Sequence, residues 1–243
     1  GDGANPLLVG VIRGVAASNL PRATELLEDL PYSRERGEAL RNVLPFVTQD
    51  GVDNALQWTT GITDERLRSG AVSFILSDLS DSQPAEAARI LVDLDQEVAV
   101  RVADQVAGSL ARSDLDLALN WAGDLQGDLR AEAAEGIISP YAAKDPEAAG
   151  EWLNSLSGST NLDPAIRNYA WTVHRSEPEL AAEWIGQVSE TGPRNELYRS
   201  ILSRWLRSDE NAARQWIEAR PDLPEGVREL PARMNRDGPP VGR

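Results

Sequence analysis

The chain has 243 residues, 41% of them apolar, which is enough to bury a core and argues against wholesale disorder. Its 39 Asp and Glu against 24 Lys and Arg give a formal charge of −15. That balance argues against nucleic acid, which needs a basic footprint, and opposes anionic membrane surfaces, while the lack of Cys removes disulfides, thiolate metal sites and thiol nucleophiles.

In chain order, PLLVGVIRGVAASN predicts a first helix over 6–18 with apolar Leu8, Ile12 and Val15 on one side. A motif then recurs. It is PRATELLEDL around Leu26, PAEAARILVDL around Ile90, DPEAAGEWL around Trp152, EPELAAEWI around Trp184 and DENAARQWI around Trp216. With Trp58 and Trp121 these residues form seven markers spaced 31 or 32 apart. Three residues before each marker stands Ala: Ala23, Ala55, Ala87, Ala118, Ala149, Ala181 and Ala213. Four after it stand Leu30, Ile62, Leu94, Leu125, Leu156 and Val188, with Arg220 as the exception. Spacing i, i+3, i+7 is the stripe of an amphipathic helix, called A here. Asp145-Pro146-Glu147 and Glu177-Pro178-Glu179 supply an acid at the cap, Pro in the first turn and a further acid. Asp209-Glu210 does the same without Pro.

A second helix, B, precedes each marker, with apolar residues 18, 14 and 11 positions back. Examples are Leu40, Leu44 and Val47, then Ile166, Ala170 and Val173, then Tyr198, Leu202 and Trp205. Turn residues such as QGD, SGSTNLD and SETGP separate A from B. Strand alternation does not survive this spacing. The expectation is one all-α domain over 1–243, a right-handed α-solenoid of about seven antiparallel helix pairs. Its units run 20–50, 51–82, 83–113, 114–144, 145–176, 177–208 and 209–237. A short last helix carries Val227, Leu230 and Met234, and 238–243 is a loose tail.

The junctions between units resemble the tetratricopeptide repeat, in which Asp-Pro often precedes Trp by seven residues. Asp145-Pro146 with Trp152, Glu177-Pro178 with Trp184, and Asp209 with Trp216 carry the resemblance. The period departs from the family's 34, and the family's Gly four after the Trp is replaced by Leu125, Leu156 or Val188. The resemblance implies a scaffold that binds protein or peptide, with helices A lining the concave side. The family's frequent ligand positions hold Leu119 and Ala122, Gly150 and Leu153, and Ala182 and Ile185. That is not a set that clamps a peptide carboxylate.

One residue before each marker lies a polar row: Glu25, Gln57, Arg89, Asn120, Glu151, Glu183 and Gln215. Four further along stand Asp29, Asp93, Asp124 and Gln187. These share a helical face. The row is either a solvated face or a mainly acidic groove for a cationic or amide-rich segment.

Catalytic patterns are missing. His174 is the only His, beside Val173, and reads as structural because no second His or Cys can build a dyad or metal set. DLDLALNW and DLDQE lack the Gly turn and ligand spacing of a calcium loop. The regular place of the Trp markers between Ala and Leu assigns them to the core rather than to sugar or base stacking. The expectation is therefore no enzymatic activity and no cofactor, with a helical-array carbohydrate-binding or carbohydrate-active protein as the minor alternative.

The first helix has no helix A before it, and Leu7, Leu8 and Val11 crowd one side. Glu225, Arg228, Glu229 and Arg233 make the last helix polar by contrast. The N-terminal edge is thus expected to dock on upstream residues, on a partner, or on a second copy by two-fold symmetry. A single Lys against many Arg suggests a high-GC bacterial genome. The Met-less opening GDGANP suggests a processed or trimmed chain, with a periplasmic, secreted or membrane-anchored location ahead of a cytoplasmic one.

Overall fold

The computed structural model describes residues 6–156 and 161–236. Among the described residues there are sixteen helices and no strand, so the protein is all-α. No described helix is long and apolar enough to cross a membrane. The chain divides into two compact units, 1–110 and 111–243.

The first unit holds α1 (Pro6–Ala16), α2 (Leu20–Glu28), α3 (Arg34–Thr48), α4 (Val52–Thr60), α5 (Glu65–Ser82), α6 (Pro84–Leu91) and α7 (Gln96–Ser113) as far as Leu110. Each helix packs on near neighbours in sequence. α1 lies on α2 and α3, α3 on α2, α4 and α5, and α5 on α4 and α6. Ser77 Oγ of α5 donates to Gln105 Oε1 of α7 at 2.8 Å. Ile12, Leu27, Val43, Ile62 and Ile75 share one buried cluster.

The second unit holds α8 (Leu115–Asp124), α9 (Gly127–Lys144), α10 (Pro146–Ser155), α11 (Asp163–Val173), α12 (Pro178–Ile185), α13 (Thr191–Ser208), α14 (Glu210–Glu218), α15 (Glu225–Arg228) and α16 (Leu230–Arg236). α9 packs on α8, α10 and α11. α11 packs on α10 and α12, and α13 on α12, α14, α15 and α16. Ile138, Leu153, Tyr169, Ile185, Leu202 and Val227 belong to its core cluster.

Sequence explains the starts of the helices well. Asn19, Asp114, Asp145 and Asp209 each accept the N–H three residues on, at the head of α2, α8, α10 and α14. Ser33 and Asp64 do the same for α3 and α5. Glu177 occupies the cap of α12 but its side chain makes no cap bond, which leaves Pro178 and the first-turn Glu179 to mark that start. Gly51 heads α4 at φ 96°, a backbone conformation that favours glycine.

The seven alanines before the markers are all fully buried. A single methyl there lets neighbouring helices approach closely. The A helices are only 8–10 residues long, so the position four after the marker falls at or beyond their C-caps. Ile62, Leu125, Leu156 and Val188 are nonetheless buried, and they plug the helix ends from the following turn. Three boundaries differ from expectation. The first helix stops at Ala16, before the Ser-Asn cap of α2; SETGP contributes Thr191, Gly192 and Pro193 to the first turn of α13; and the last helix is split into α15 and α16 around Glu229. The expected tail at 238–243 and the turn residues 157–160 lie outside the described residues.

Candidate functional site

In the second unit, α10 and α12 border a groove of about 740 Å³. Six carboxylates line it: Asp145, Glu147 and Glu151 from the cap and body of α10, and Glu177, Glu179 and Glu183 from the same places on α12. No Lys or Arg is among the lining residues. The two helices begin with the same motif, so the acids at cap, first turn and marker-minus-one stand in matching registers. Glu183 receives one cation from outside, Arg220 Nη2 at 3.1 Å. Arg220 itself lies over the Trp216 ring, 4.0 Å from its centroid.

The groove also has aromatic lining residues. Tyr169 of α11 and Trp184 of α12 contribute rings 4.9 Å apart and tilted by 52°. Gly150 makes this contact possible: a Cβ there would stand 3.1 Å from the Tyr169 hydroxyl and 3.2 Å from the Trp184 ring. Tyr169 donates to Pro146 O at 2.7 Å, tying α11 to the first turn of α10. Burial first, then the nearby Glu177 and Asp145, push the Tyr169 phenol up to about 12. It stays a neutral donor under ordinary conditions. Burial, followed by Asp145, Glu151 and Asp116, also raises Tyr141. Tyr141 packs against Trp152 at 6.1 Å.

All eleven residues of the expected polar row are exposed: Glu25, Asp29, Gln57, Arg89, Asp93, Asn120, Asp124, Glu151, Glu183, Gln187 and Gln215. Only Glu151 and Glu183 meet in this groove. Elsewhere, Glu25 pairs with Arg22, Arg89 with Glu86, and Gln57 donates to Thr60 Oγ1. The family's ligand positions Ala122, Gly150, Leu153, Ala182 and Ile185 are buried, so they serve packing here. In the sequence, Asp145, Glu147, Glu177 and Glu179 are helix-start signals. The same acids that favour the N-terminus of a short helix also form the groove rim.

The Trp markers divide into two groups. Trp184 and Trp216 are buried, whereas Trp58, Trp121 and Trp152 are half-buried. His174 is half-buried at the C-cap of α11, its Nδ1 2.6 Å from Trp171 O. At the N-terminal edge Leu7 and Val11 are 78% and 53% exposed, and Leu8 is half-buried.

Among the described residues no three or more His, Asp or Glu are grouped to hold a metal ion. The carboxylates of the groove are therefore spread along it rather than converged on a point. Fold and site define an all-α protein with an acidic groove in its second unit, floored by the buried Tyr169 and Trp184. Comparison with protein-family models, with curated proteins and with solved structures found no match.

Proposed function

We propose that this chain is a non-enzymatic, tetratricopeptide-like helical scaffold that captures a cationic segment of another polypeptide. The observation that carries the reading is the α10/α12 groove, where six carboxylates border Tyr169 and Trp184 without a lining cation. Lys and Arg side chains suit such a surface through ion pairing with the exposed carboxylates. Spread carboxylates favour a segment with several charges over a single small cation. The test is titration with a labelled acetyl-Lys-Leu-Lys-Leu-Lys-amide peptide and its Nε-acetylated analogue. Glu147→Gln, Glu151→Gln and Glu179→Gln together should weaken the cationic peptide roughly tenfold or more, and added salt should weaken it further. Equal binding of the acetylated analogue, or no effect of the triple substitution, overturns the reading.

A second reading, assembly through the N-terminal helix, is favoured by one comparison of registers. Val11 is 53% exposed, whereas its register equivalents Val43, Ile75, Val106, Ile137, Tyr169 and Ile201 are all 0–2% exposed. The same face that other B helices bury is open on α1.

A further inference from the structure

The first unit carries a cleft of opposite chemistry. It runs across the N-terminal halves of α3, α5 and α7 as two lobes of about 510 and 400 Å³ that share Arg66, Glu97 and Arg101. Arg34, Arg36, Arg66, Arg68 and Arg101 line it against Glu65, Asp95 and Glu97. In a chain with 39 acids and 24 bases, five guanidiniums in one cleft are a local reversal of sign.

These guanidiniums are accessible at small cost. Arg34 and Arg101 pair with Glu38 and Glu97 at 3.3 and 2.9 Å, but both are exposed i,i+4 pairs. Such pairs are worth only about 0.3–0.5 kcal/mol, so a better acceptor displaces them readily. Arg66 has its guanidinium carbon 5.3 Å from the centroid of the Tyr32 ring, and Tyr32 is 76% exposed. Arg36 is different: it is 5% exposed, and its Nη2 lies 2.7 Å from Asp64 Oδ1. Its buried Nε has no hydrogen-bond partner among the described residues. A buried cation with unused donor capacity in a pocket wall is costly unless an acceptor comes to it. The three helices also begin here, so their positive dipole ends add to the guanidinium charge.

Apolar surface interleaves with the charge. Leu40 and Phe74 line one lobe, and Val72, Leu94 and Val98 the other. A small inorganic anion would use one fork and leave this surface wet. We infer that the cleft binds a short acidic polypeptide segment in which carboxylates alternate with apolar side chains. The chain's overall negative charge does not forbid this, because at about 0.15 M salt charges beyond roughly 8 Å are largely screened. This inference stands on residues of the first unit alone and is independent of the acidic groove.

The experiment uses the full chain at that ionic strength and a labelled acetyl-Glu-Leu-Glu-Leu-Glu-amide peptide, with its all-Gln analogue and inorganic phosphate as competitors. The acidic peptide should bind roughly tenfold or more tightly than the Gln analogue, and Arg66→Gln or Arg101→Gln should each weaken it about fivefold. Both arginines are exposed, so thermal midpoints should be unchanged, and Arg207→Gln, outside the cleft, should bind as the parent does. Absent binding at millimolar peptide, or binding indifferent to Arg66→Gln, overturns the inference. Displacement by phosphate at equal concentration also overturns it, since that outcome makes the cleft a small-anion site. Binding of the cationic peptide, measured in parallel, reports on the other groove and does not bear on this one.

Discussion

Ala149 and Ala181 have no exposed surface, and each stands three residues before a Trp that fills the adjoining space. Enlarging either to Leu should overpack the helix contact and cost about 1–3 kcal/mol. The Trp residues test the core more sharply, because the structure ranks them. Trp184 is 6% exposed and stacks at a tilt on Tyr169, whereas Trp152 is half-buried against Tyr141. Trp184→Ala should cost about 3–5 kcal/mol in denaturant unfolding, and Trp152→Ala clearly less. Equal losses at the two sites would contradict this ranking. Sequence spacing alone puts the five marker Trp in one class. It could not rank them, because burial of a large ring depends on what the next helix sets against it. At Trp58 that neighbour is Thr24, whose hydroxyl accepts from the indole N–H at 2.9 Å.

At the scale of helices, two carboxylates tie one element to the start of another. Asp163, the first residue of α11, is buried and accepts from Ser189 N, Ser189 Oγ and Glu190 N, just ahead of α13. Glu28, the last residue of α2, accepts from Thr63 N, Thr63 Oγ1 and Asp64 N, just ahead of α5. Burial opposes the charge on Asp163, but the Ser189 and Glu190 donors outweigh it and hold the carboxyl below the usual Asp range. A depressed folded value stabilises the fold above the unfolded value of about 3.9 and stops doing so as pH falls through the folded one. Asp163→Asn should therefore cost about 1–2 kcal/mol near neutral pH. The gap to the parent should close as pH falls below the unfolded Asp value of about 3.9 and through the depressed folded one. A gap that stays constant across a series of urea titrations at falling pH would refute the ionised tie. Local caps were legible in sequence because cap and N–H are three residues apart. These ties span 26 and 35 residues, beyond any local pattern. The Arg cleft did leave a trace: Arg34-x-Arg36 and Arg66-x-Arg68 repeat 32 residues apart, in the marker period. That repeat lies outside the apolar stripes, which mark only the helix faces that pack.

At the scale of the whole molecule, charge is spread unevenly along the chain. No carboxylate occurs between Asp2 and Glu25, in a sequence holding 39 of them. α1 fills the middle of that stretch and shows Gly10, Val11 and Gly14 on its exposed side, with no atom within 4 Å of a Cβ built on either glycine. A second helix could therefore approach α1 closely along this line, with Val11 beside it. We propose a second copy of α1 as the occupant. It presents the same acid-free, small-and-apolar face, so an isologous two-fold contact brings no carboxylates together. A pair of copies each carrying a formal −15 repels at long range while the contact itself is apolar. Added salt should then strengthen the pairing, whereas it would weaken one built on ion pairs. Sedimentation equilibrium from low to high salt should show dimer increasing. Val11→Glu should return the protein to monomer at every salt concentration with its helical circular dichroism unchanged, since Val11 is already half exposed. A parent chain that stays monomeric at about 100 μM in 0.5 M salt, a concentration at which even weak micromolar pairs assemble, would sink the contact.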